Sequence, residues 1–146
     1  MNPPDDALRE LLSSVRTIAV VGLSSNPDRP SYGVAARVRA AGYRIIPVNP
    51  NETEVLGEKA YPDLPSVPHR IDAVDVFRRS EHTPAIASQA VAAGARLFWL
   101  QSGIINEEAE RIARAGGLTV VMDACLGVMV SRLRVRPAPS SPASAK

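Results

Sequence analysis

Aromatic residues, cysteine and histidine are scarce in this chain, and each shortage excludes a kind of site. Phe, Trp and Tyr make up 4% of the 146 residues, too few for the stacking platforms that bind single-stranded nucleic acids. The single cysteine, Cys125, cannot form an internal disulfide, which predicts a reducing compartment. Cys125 and the two isolated histidines, His69 and His82, cannot build a thiolate or imidazole zinc site, so we expect no metal.

Charge and hydropathy also limit the partners. The net charge is +2 although the isoelectric point is about 9.0, and this excess is too small to indicate a nucleic-acid partner. No apolar run approaches the roughly 18 residues of a membrane span. The start of the chain, residues 1–10, is acidic and polar, unlike a secretory signal. We therefore expect a cytoplasmic protein without a membrane or nucleic-acid partner.

Apolar β-branched runs alternate with alanine-rich helical patterns along most of the chain. The predicted strands are 16–23, 43–50, 71–77, 95–103 and 118–123, and the predicted helices are 5–15, 32–42, 83–94 and 106–117. This alternation predicts an α/β fold, a Rossmann-like doubly wound, mostly parallel five-stranded sheet with helices on both faces.

Local signals add detail to this pattern. Asp5 or Asp6 is expected to cap the first helix, and Asn106 the last predicted one. The proline-rich interval 50–70 predicts a loop with a short extra strand near 55–61. We expect residues 1–136 to form one domain and the Pro- and Ser-rich residues 137–146 to be a disordered tail.

The loop after the first strand has the features of a phosphate site. Gly22 permits a sharp turn and close approach of a ligand, and Ser24 and Ser25 add hydroxyl groups. The next helix begins near Ser31, where free amides and the positive end of the helix dipole attract anions. Arg29 can add a forked, permanently charged contact. A tight turn with solvated polar residues is the alternative.

The end of the second strand argues against NAD. An NAD site usually has an acid here for the ribose hydroxyl, whereas this strand ends in Asn49, Pro50 and Asn51. We expect Glu52 to lie past the site. The alternative for the three residues after the strand is ordinary turn chemistry.

The third strand predicts a ligand cation and a structural acid. Arg78 and Arg79 after Phe77 favour a polyanionic ligand, unless they form a solvated pair with Glu81 or Asp75. Asp75 lies within an apolar run, which favours a structural carboxylate with hydrogen-bonded partners.

The fourth strand end shows no catalytic motif. Gln101, Ser102 and Gly103 do not form the G-x-S-x-G elbow of a nucleophilic serine. We expect Cys125 to be a buried small apolar residue, since no activating neighbour is evident. No catalytic residue is therefore predicted.

Four segments together resemble the small CoA-binding protein family, single-domain relatives of the N-terminal domain of the succinyl-CoA synthetase alpha subunit. They are residues 17–51, 55–68, 72–79 and 99–126, and the resemblance covers about 16–133. It implies a Rossmann-like domain that binds coenzyme A or acyl-CoA at the strand carboxyl ends. The residues that match the CoA loops of the family are Gly22, Leu23, Ser24, Ser25, Arg29, Ser31, Tyr32, Asn49, Pro50, Phe77, Arg78, Gln101, Ser102 and Gly103.

The chain departs from the family pattern at three places. The synthetase domain has more glycines in its first loop, so we expect the diphosphate to lie differently here. The synthetase domain has a lysine shortly after the proline of the second loop, where this chain has Asn51 and Glu52, so Arg78, Arg79 or Lys59 would have to hold the 3′-phosphate. Ala124 stands where the family often has a basic residue. The synthetase's phosphohistidine machinery lies beyond this domain, so thioester synthesis is not implied.

The resemblance and the residues favour non-catalytic binding of a small-molecule CoA ligand, with any protein partner unknown. Three alternatives stay open. One is an NAD(P)-binding module or redox sensor, and another is a small acyl-CoA-using enzyme with Cys125 or Ser102 as nucleophile. The third is a structural role without a ligand.

Overall fold

Five parallel strands form the central sheet of the protein, of which a computed structural model describes residues 2–139. The sheet strands are β1 (Thr17–Val21), β2 (Arg44–Val48), β5 (Ala73–Val76), β6 (Leu97–Leu100) and β7 (Thr119–Val121). Their order across the sheet is β2-β1-β5-β6-β7, and every neighbouring pair is parallel. The fold class predicted from the sequence is confirmed. Of the predicted tail, residues 140–146 lie outside the described residues.

Helices cover both faces of the sheet because each buried strand is apolar on both sides. The helices are α1 (Asp5–Ser14), α2 (Pro30–Ala40), α3 (Thr83–Ala92), α4 (Glu107–Ala115) and α5 (Leu126–Leu133). One core cluster joins Ile18 of β1 to α1, α2 and α5, and the other joins the adjacent Ala19 to α3 and α4. Successive strand residues thus point to opposite helical layers. No helix in residues 2–139 is long and apolar enough to cross a membrane.

The proline-rich interval contains a small hairpin. The sequence predicts one short strand near 55–61, and the structure has two short strands there. Its strands are β3 (Glu54–Val55) and β4 (Glu58–Lys59), joined by Leu56 and Gly57, which both have positive φ. Two such residues are typical of a two-residue hairpin turn. Pro47 is tolerated within β2 because β2 is the edge strand of the sheet.

The predicted N-cap of α4 is confirmed, whereas the predicted N-cap of α1 is not. Asn106 caps α4, with its side-chain oxygen accepting a hydrogen bond from the Ala109 amide at 2.8 Å. The prediction of Asp5 or Asp6 as the cap of α1 is wrong, because Pro4 takes the cap position in extended backbone. The two acids instead occupy the first turn, where the helix dipole favours negative charge.

The order of the strands places a switch point between β1 and β5. From β1 the chain moves outward to β2 and then returns across the sheet to β5. The loops after β1 and β5 therefore leave the sheet in opposite directions and open a crevice at its carboxyl edge. α5, which no sequence pattern predicted, follows β7 and packs beside α2.

Candidate functional site

The crevice begins at Gly22, the first residue after β1. Gly22 has a φ of +89°, and its amide donates to the Val48 carbonyl at 2.8 Å. A Cβ atom at this position would lie 2.5 Å from the carbonyl oxygen of Phe77, the residue after β5. Only glycine therefore lets the two loops of the switch point touch.

The loop after Gly22 is ordered by its own side chains. The Ser24 amide donates to Ser31 Oγ at 3.1 Å, the Asn26 amide to Ser24 Oγ at 3.0 Å, and the Asp28 amide to Asn26 Oδ1 at 2.9 Å. The loop ends at Pro30, the first residue of α2, and no side chain among residues 2–139 caps this helix. The positive end of the α2 dipole therefore faces the crevice.

A polar cavity of about 420 Å³ lies beside this helix start. Its lining residues are Gly22, Ser24, Arg29, Pro30, Ser31, Asn49, Asn51, Glu52 and Phe77. Asn49 is held in place by its side-chain amide, which donates to the Leu23 carbonyl at 3.1 Å. The loops after β1, β2 and β5 thus meet around one polar space, with the Arg29 side chain at its margin.

Glu52 lies in this polar cavity, so the expectation that it falls past the site is wrong. The Asn51 amide donates to Asn49 Oδ1 at 2.9 Å, and the Glu52 amide to the Asn49 carbonyl at 3.2 Å. This tight turn brings the chain back toward the first loop. There Glu52 Oε2 accepts a hydrogen bond from the Ser25 amide at 2.7 Å. A carboxylate therefore occupies the Ser25 amide, in the loop that the sequence predicts to be a phosphate site.

A second, apolar cavity of about 350 Å³ lies next to the polar one. Its lining residues are Pro30, Val34, Phe77, Arg78, Gln101, Ser102, Ile104 and Cys125. Pro30 and Phe77 border both cavities, so the two are adjacent, and we call them together the groove. One half of the groove suits charged groups and the other suits an apolar chain.

Beneath the apolar cavity, Asp75 and Gln101 form a buried pair. Gln101 Nε2 donates to Asp75 Oδ1, and both residues are at most 4% exposed. Burial raises the pKa of the Asp75 carboxyl to about 7, and the hydrogen bonds from Gln101 and from the Val76 backbone oppose that rise only in part. The prediction that the Asp75 carboxyl has hydrogen-bonded partners is confirmed, and one of these partners, Gln101, lines the groove.

Cys125 is only half-buried and lines the apolar cavity, so the prediction of a buried packing residue is wrong. It takes the cap position of α5, where the chain leaves the sheet, and this brings it to the crevice. The preceding carbonyl, of Ala124, accepts a hydrogen bond from Trp99 Nε1 at 2.9 Å. Trp99 itself is a core residue.

The other predicted site residues lie around the groove but do not line either cavity. Leu23 is fully buried in the core, Tyr32 packs half-buried against the same core, and the Gly103 amide donates to Asp123 Oδ1 at 2.7 Å. Pro50 lines a third cavity of about 230 Å³, which reaches the groove through Arg78.

Of the three cations named for the 3′-phosphate, Arg78 alone borders these cavities. Arg79 is exposed and precedes a short 3₁₀ turn, Ser80–His82. Lys59 Nζ lies 5.4 Å from the centre of the Tyr61 ring, on the hairpin.

Six residues that line the groove were not among the predicted site residues: Pro30, Val34, Asn51, Glu52, Ile104 and Cys125. Val34 lies one helical turn after Pro30, so the start of α2 could have indicated it. Glu52 had no comparable signal, because its position depends on the turn at 49–52.

Comparison with protein families gives a match over most of the chain. A family model described as a CoA binding domain matches residues 16–131. The uncharacterized protein YneT of Bacillus subtilis is 46% identical over 127 residues, which cover 87% of this chain and 94% of YneT. A solved structure, a hypothetical protein from Pyrococcus horikoshii, superposes with a TM-score of 0.88 at 36% identity and covers 90% of this chain and 93% of that one.

A larger enzyme contains a similar segment. The alpha subunit of an ADP-forming acetate–CoA ligase from Pyrococcus furiosus is 29% identical over 125 residues. These cover 78% of this chain but only 27% of the ligase subunit. The chain thus matches about a quarter of that subunit.

Proposed function

This chain belongs to the family of CoA-binding domains, and from that premise we propose that it binds coenzyme A or an acyl-CoA in the groove at the carboxyl edge of its sheet, without transforming it. The observation that carries this proposal is the division of one groove into a polar and an apolar half that share Pro30 and Phe77. Coenzyme A has the same division, since a charged diphosphate joins its nucleotide to a neutral pantetheine arm.

The diphosphate fits the polar cavity. The start of α2 offers backbone donors and the positive end of its dipole, and Arg29 adds a permanent charge able to hold two phosphate oxygens. Gly22 lines the same cavity and lets the loops after β1 and β5 meet beside it. Arg78 borders both the apolar and the third cavity, which makes it the best-placed cation for the remaining phosphate.

The pantetheine arm fits the apolar cavity. Val34, Phe77 and Ile104 supply apolar surface, and Ser102 and Gln101 supply polar atoms for the amide groups of the arm. A cavity of about 350 Å³ is within the range of small-ligand sites.

The same cavity offers no evident catalytic pair. In the part of the chain that the structure describes, neither Ser102 Oγ nor Cys125 Sγ has a hydrogen bond to a histidine or a carboxylate. His69 contacts Tyr61 on the surface instead. Nucleophilic catalysis needs an adjacent base or a lowered pKa, so binding alone is the better proposal. The Pyrococcus enzyme is named as a ligase, but the segment that matches this chain is only 27% of that ligase subunit.

A second candidate is an NAD(P)-binding module, and Glu52 is the observation that favours it. Dinucleotide sites place an acid near the end of the second strand to bind a ribose hydroxyl. Glu52 lies in the polar cavity beside the first loop, although its carboxylate is engaged with the Ser25 amide. Calorimetric competition separates the two candidates. If the groove is a CoA site, CoA should displace NADH, and if it is an NAD(P) site, NADH should displace CoA.

The test of the main proposal is calorimetric titration of the full chain with CoA, acetyl-CoA, ADP and pantetheine. We expect CoA to bind more tightly than either fragment, since each fragment fills half of the groove. Val34→Phe should weaken CoA and pantetheine but leave ADP unchanged, because it fills only the apolar half. Absence of heat and of thermal stabilisation at about 1 mM CoA would overturn the proposal.

A further inference from the structure

Four arginines stand at the starts of four neighbouring strands, at the edge of the sheet opposite the groove. Arg16 precedes β1, Arg44 is the first residue of β2, and Arg96 precedes β6. Arg70 comes two residues before Asp72, which precedes β5. Because β2, β1, β5 and β6 are consecutive in the sheet and about 4.8 Å apart, the four side chains leave from one row.

The row borders a cavity of about 600 Å³, which we call the amino-edge cavity. Its lining residues are Ser14, Arg16, Thr17, Arg44, Pro68, His69, Arg70, Asp72, Arg96, Ala138 and Pro139. The volume is in the range of sites that bind a small organic ligand.

The charge in this cavity is strongly unbalanced. Four guanidinium groups line it against a single carboxylate, that of Asp72. This carboxylate is already used by the protein, since Asp72 Oδ2 accepts from the Arg16 and Thr17 amides at 2.9 and 3.0 Å. Its other oxygen lies 3.3 Å from Arg70 Nε and 3.7 Å from Arg96 Nη2. Three positive charges are left without a counter-charge among the lining residues.

Several of these guanidinium groups are fixed by neutral contacts. Arg96 Nη2 donates to the Ser14 carbonyl at 2.7 Å, and Arg16 Nη1 to the Ala138 carbonyl at 3.3 Å. Arg44 has no side-chain hydrogen bond or ion pair with any residue in 2–139. A guanidinium has five N–H donors, so each arginine keeps donors for a ligand. The cavity is therefore partly organised for an anion before one arrives.

We propose that the amino-edge cavity binds a small polyanion carrying two or more phosphate groups. Phosphate is favoured because the planar guanidinium fork matches two phosphate oxygens, and because several such forks converge on one space. More than one phosphate is needed to balance the residual charge. The shared chemistry is an oligophosphate, either free or attached to a nucleoside.

This site is separate from the proposed CoA groove. The strands between the two edges are four or five residues long, which separates the edges by roughly 15 Å. Among residues 2–139, none lines both the amino-edge cavity and the groove. The inference therefore stands or falls independently of CoA binding.

The test is titration of the full chain with inorganic tripolyphosphate and with ATP, alone and with about 1 mM CoA present. The double variant Arg44→Gln/Arg70→Gln should bind tripolyphosphate at least about tenfold more weakly and should leave CoA binding unchanged. Both side chains are exposed, so the variant should fold, and its unfolding midpoint verifies this. Arg111→Gln/Arg132→Gln is the matched control, since it removes the same charge from α4 and α5.

Tighter binding of ATP than of tripolyphosphate would support the site with a nucleoside-linked ligand, and the reverse would support it with a free oligophosphate. The proposal fails if neither binds at about 1 mM in low salt, or if the control pair loses as much affinity as the test pair. It also fails if CoA displaces tripolyphosphate, which would put the anion in the groove. The proposal of a small ligand is also overturned if an RNA oligonucleotide binds more tightly than tripolyphosphate and the double variant Arg44→Gln/Arg70→Gln abolishes that binding.

Discussion

The two edges of the sheet both gather polar groups around a cavity, but they do so by different means. At the carboxyl edge the loops contribute backbone turns, hydroxyls and amides, with Arg29 and Glu52 as the charged residues of the polar cavity. At the amino edge the contribution is almost entirely side-chain charge, from four arginines around Asp72. One edge is shaped by the path of the chain and the other by the residues that begin its strands.

Because of this difference, substitutions at the two edges should have different effects on stability and on binding. A turn such as that at Gly22 tolerates no added atom, because the two loops touch there. An exposed arginine such as Arg44 can be replaced without disturbing the fold, since nothing in 2–139 is bonded to its side chain. Substitutions at the carboxyl edge should alter both stability and binding, whereas those at the amino edge should alter binding alone.

The largest effect should come from Gly22→Ala. The new Cβ would lie 2.5 Å from the Phe77 carbonyl oxygen at a φ of +89°, so the loops must separate. We expect a loss of about 3–5 kcal/mol in the free energy of unfolding, measured in urea, and loss of CoA binding. Gly57→Ala is the control, because it has a φ of +76° but no atom within 4 Å. Equal destabilisation by the two variants would contradict the close contact of the loops.

The next effect concerns Asp75, in β5 below the groove. Burial raises the pKa of Asp75 to about 7 from 3.8, so the folded protein holds a proton that the unfolded chain releases. The resulting stability is present below about pH 4 and is lost as the pH rises to about 7. Asp75→Asn should therefore be more stable than the parent at pH 8, by about 2–3 kcal/mol, and nearly equal at pH 4. Urea unfolding at a series of pH values measures this, and parallel profiles would refute it.

The same substitution at both edges sharpens the comparison further. Arg29→Ala should weaken CoA binding by about 10- to 100-fold, since a charged hydrogen bond contributes roughly 1.5–3 kcal/mol. Arg44→Ala removes the same group at the other edge and should leave CoA affinity unchanged. Calorimetry with CoA measures both, and unchanged affinity in Arg29→Ala would remove Arg29 from the site.

The smallest effect should be a gain. Glu52→Gln keeps an oxygen for the Ser25 amide but removes a negative charge from the polar cavity. CoA affinity should rise about two- to fivefold in low salt, and the gain should shrink as salt screens the charge. Weaker CoA binding in this variant would instead indicate that the Glu52 carboxylate contacts CoA itself, and would contradict the expected repulsion.

The fold was predictable because its signals are local. β-branched runs, alanine-rich helices and the positive-φ glycines after α2 and α3, Gly42 and Gly94, mark the element boundaries. α5 escaped this reasoning because it has eight residues and follows its strand after a short turn. Its apolar face, with Val130 and Leu133 in the core, is recognisable only once α1 and α2 are in place to receive it.

The site was predictable in part, for a related reason. The rule that parallel strands present a crevice at their carboxyl ends located the loops, and Gly22 located the turn. The positions of Glu52 and Cys125 depend on where turns return the chain, which composition does not encode. The cluster of arginines at the amino edge was not predicted for another reason. The net charge of +2 sums all charged residues of the chain, so it does not show where positive charges gather.

The hydrogen bond between Trp99 and the Ala124 carbonyl has a practical consequence. Trp99 is the only tryptophan in the chain, and the carbonyl it binds belongs to the residue before Cys125 of the apolar cavity. A ligand that shifts the start of α5 changes the surroundings of a single indole. The protein therefore contains one intrinsic fluorophore beside the groove, and its emission can report occupancy without any label.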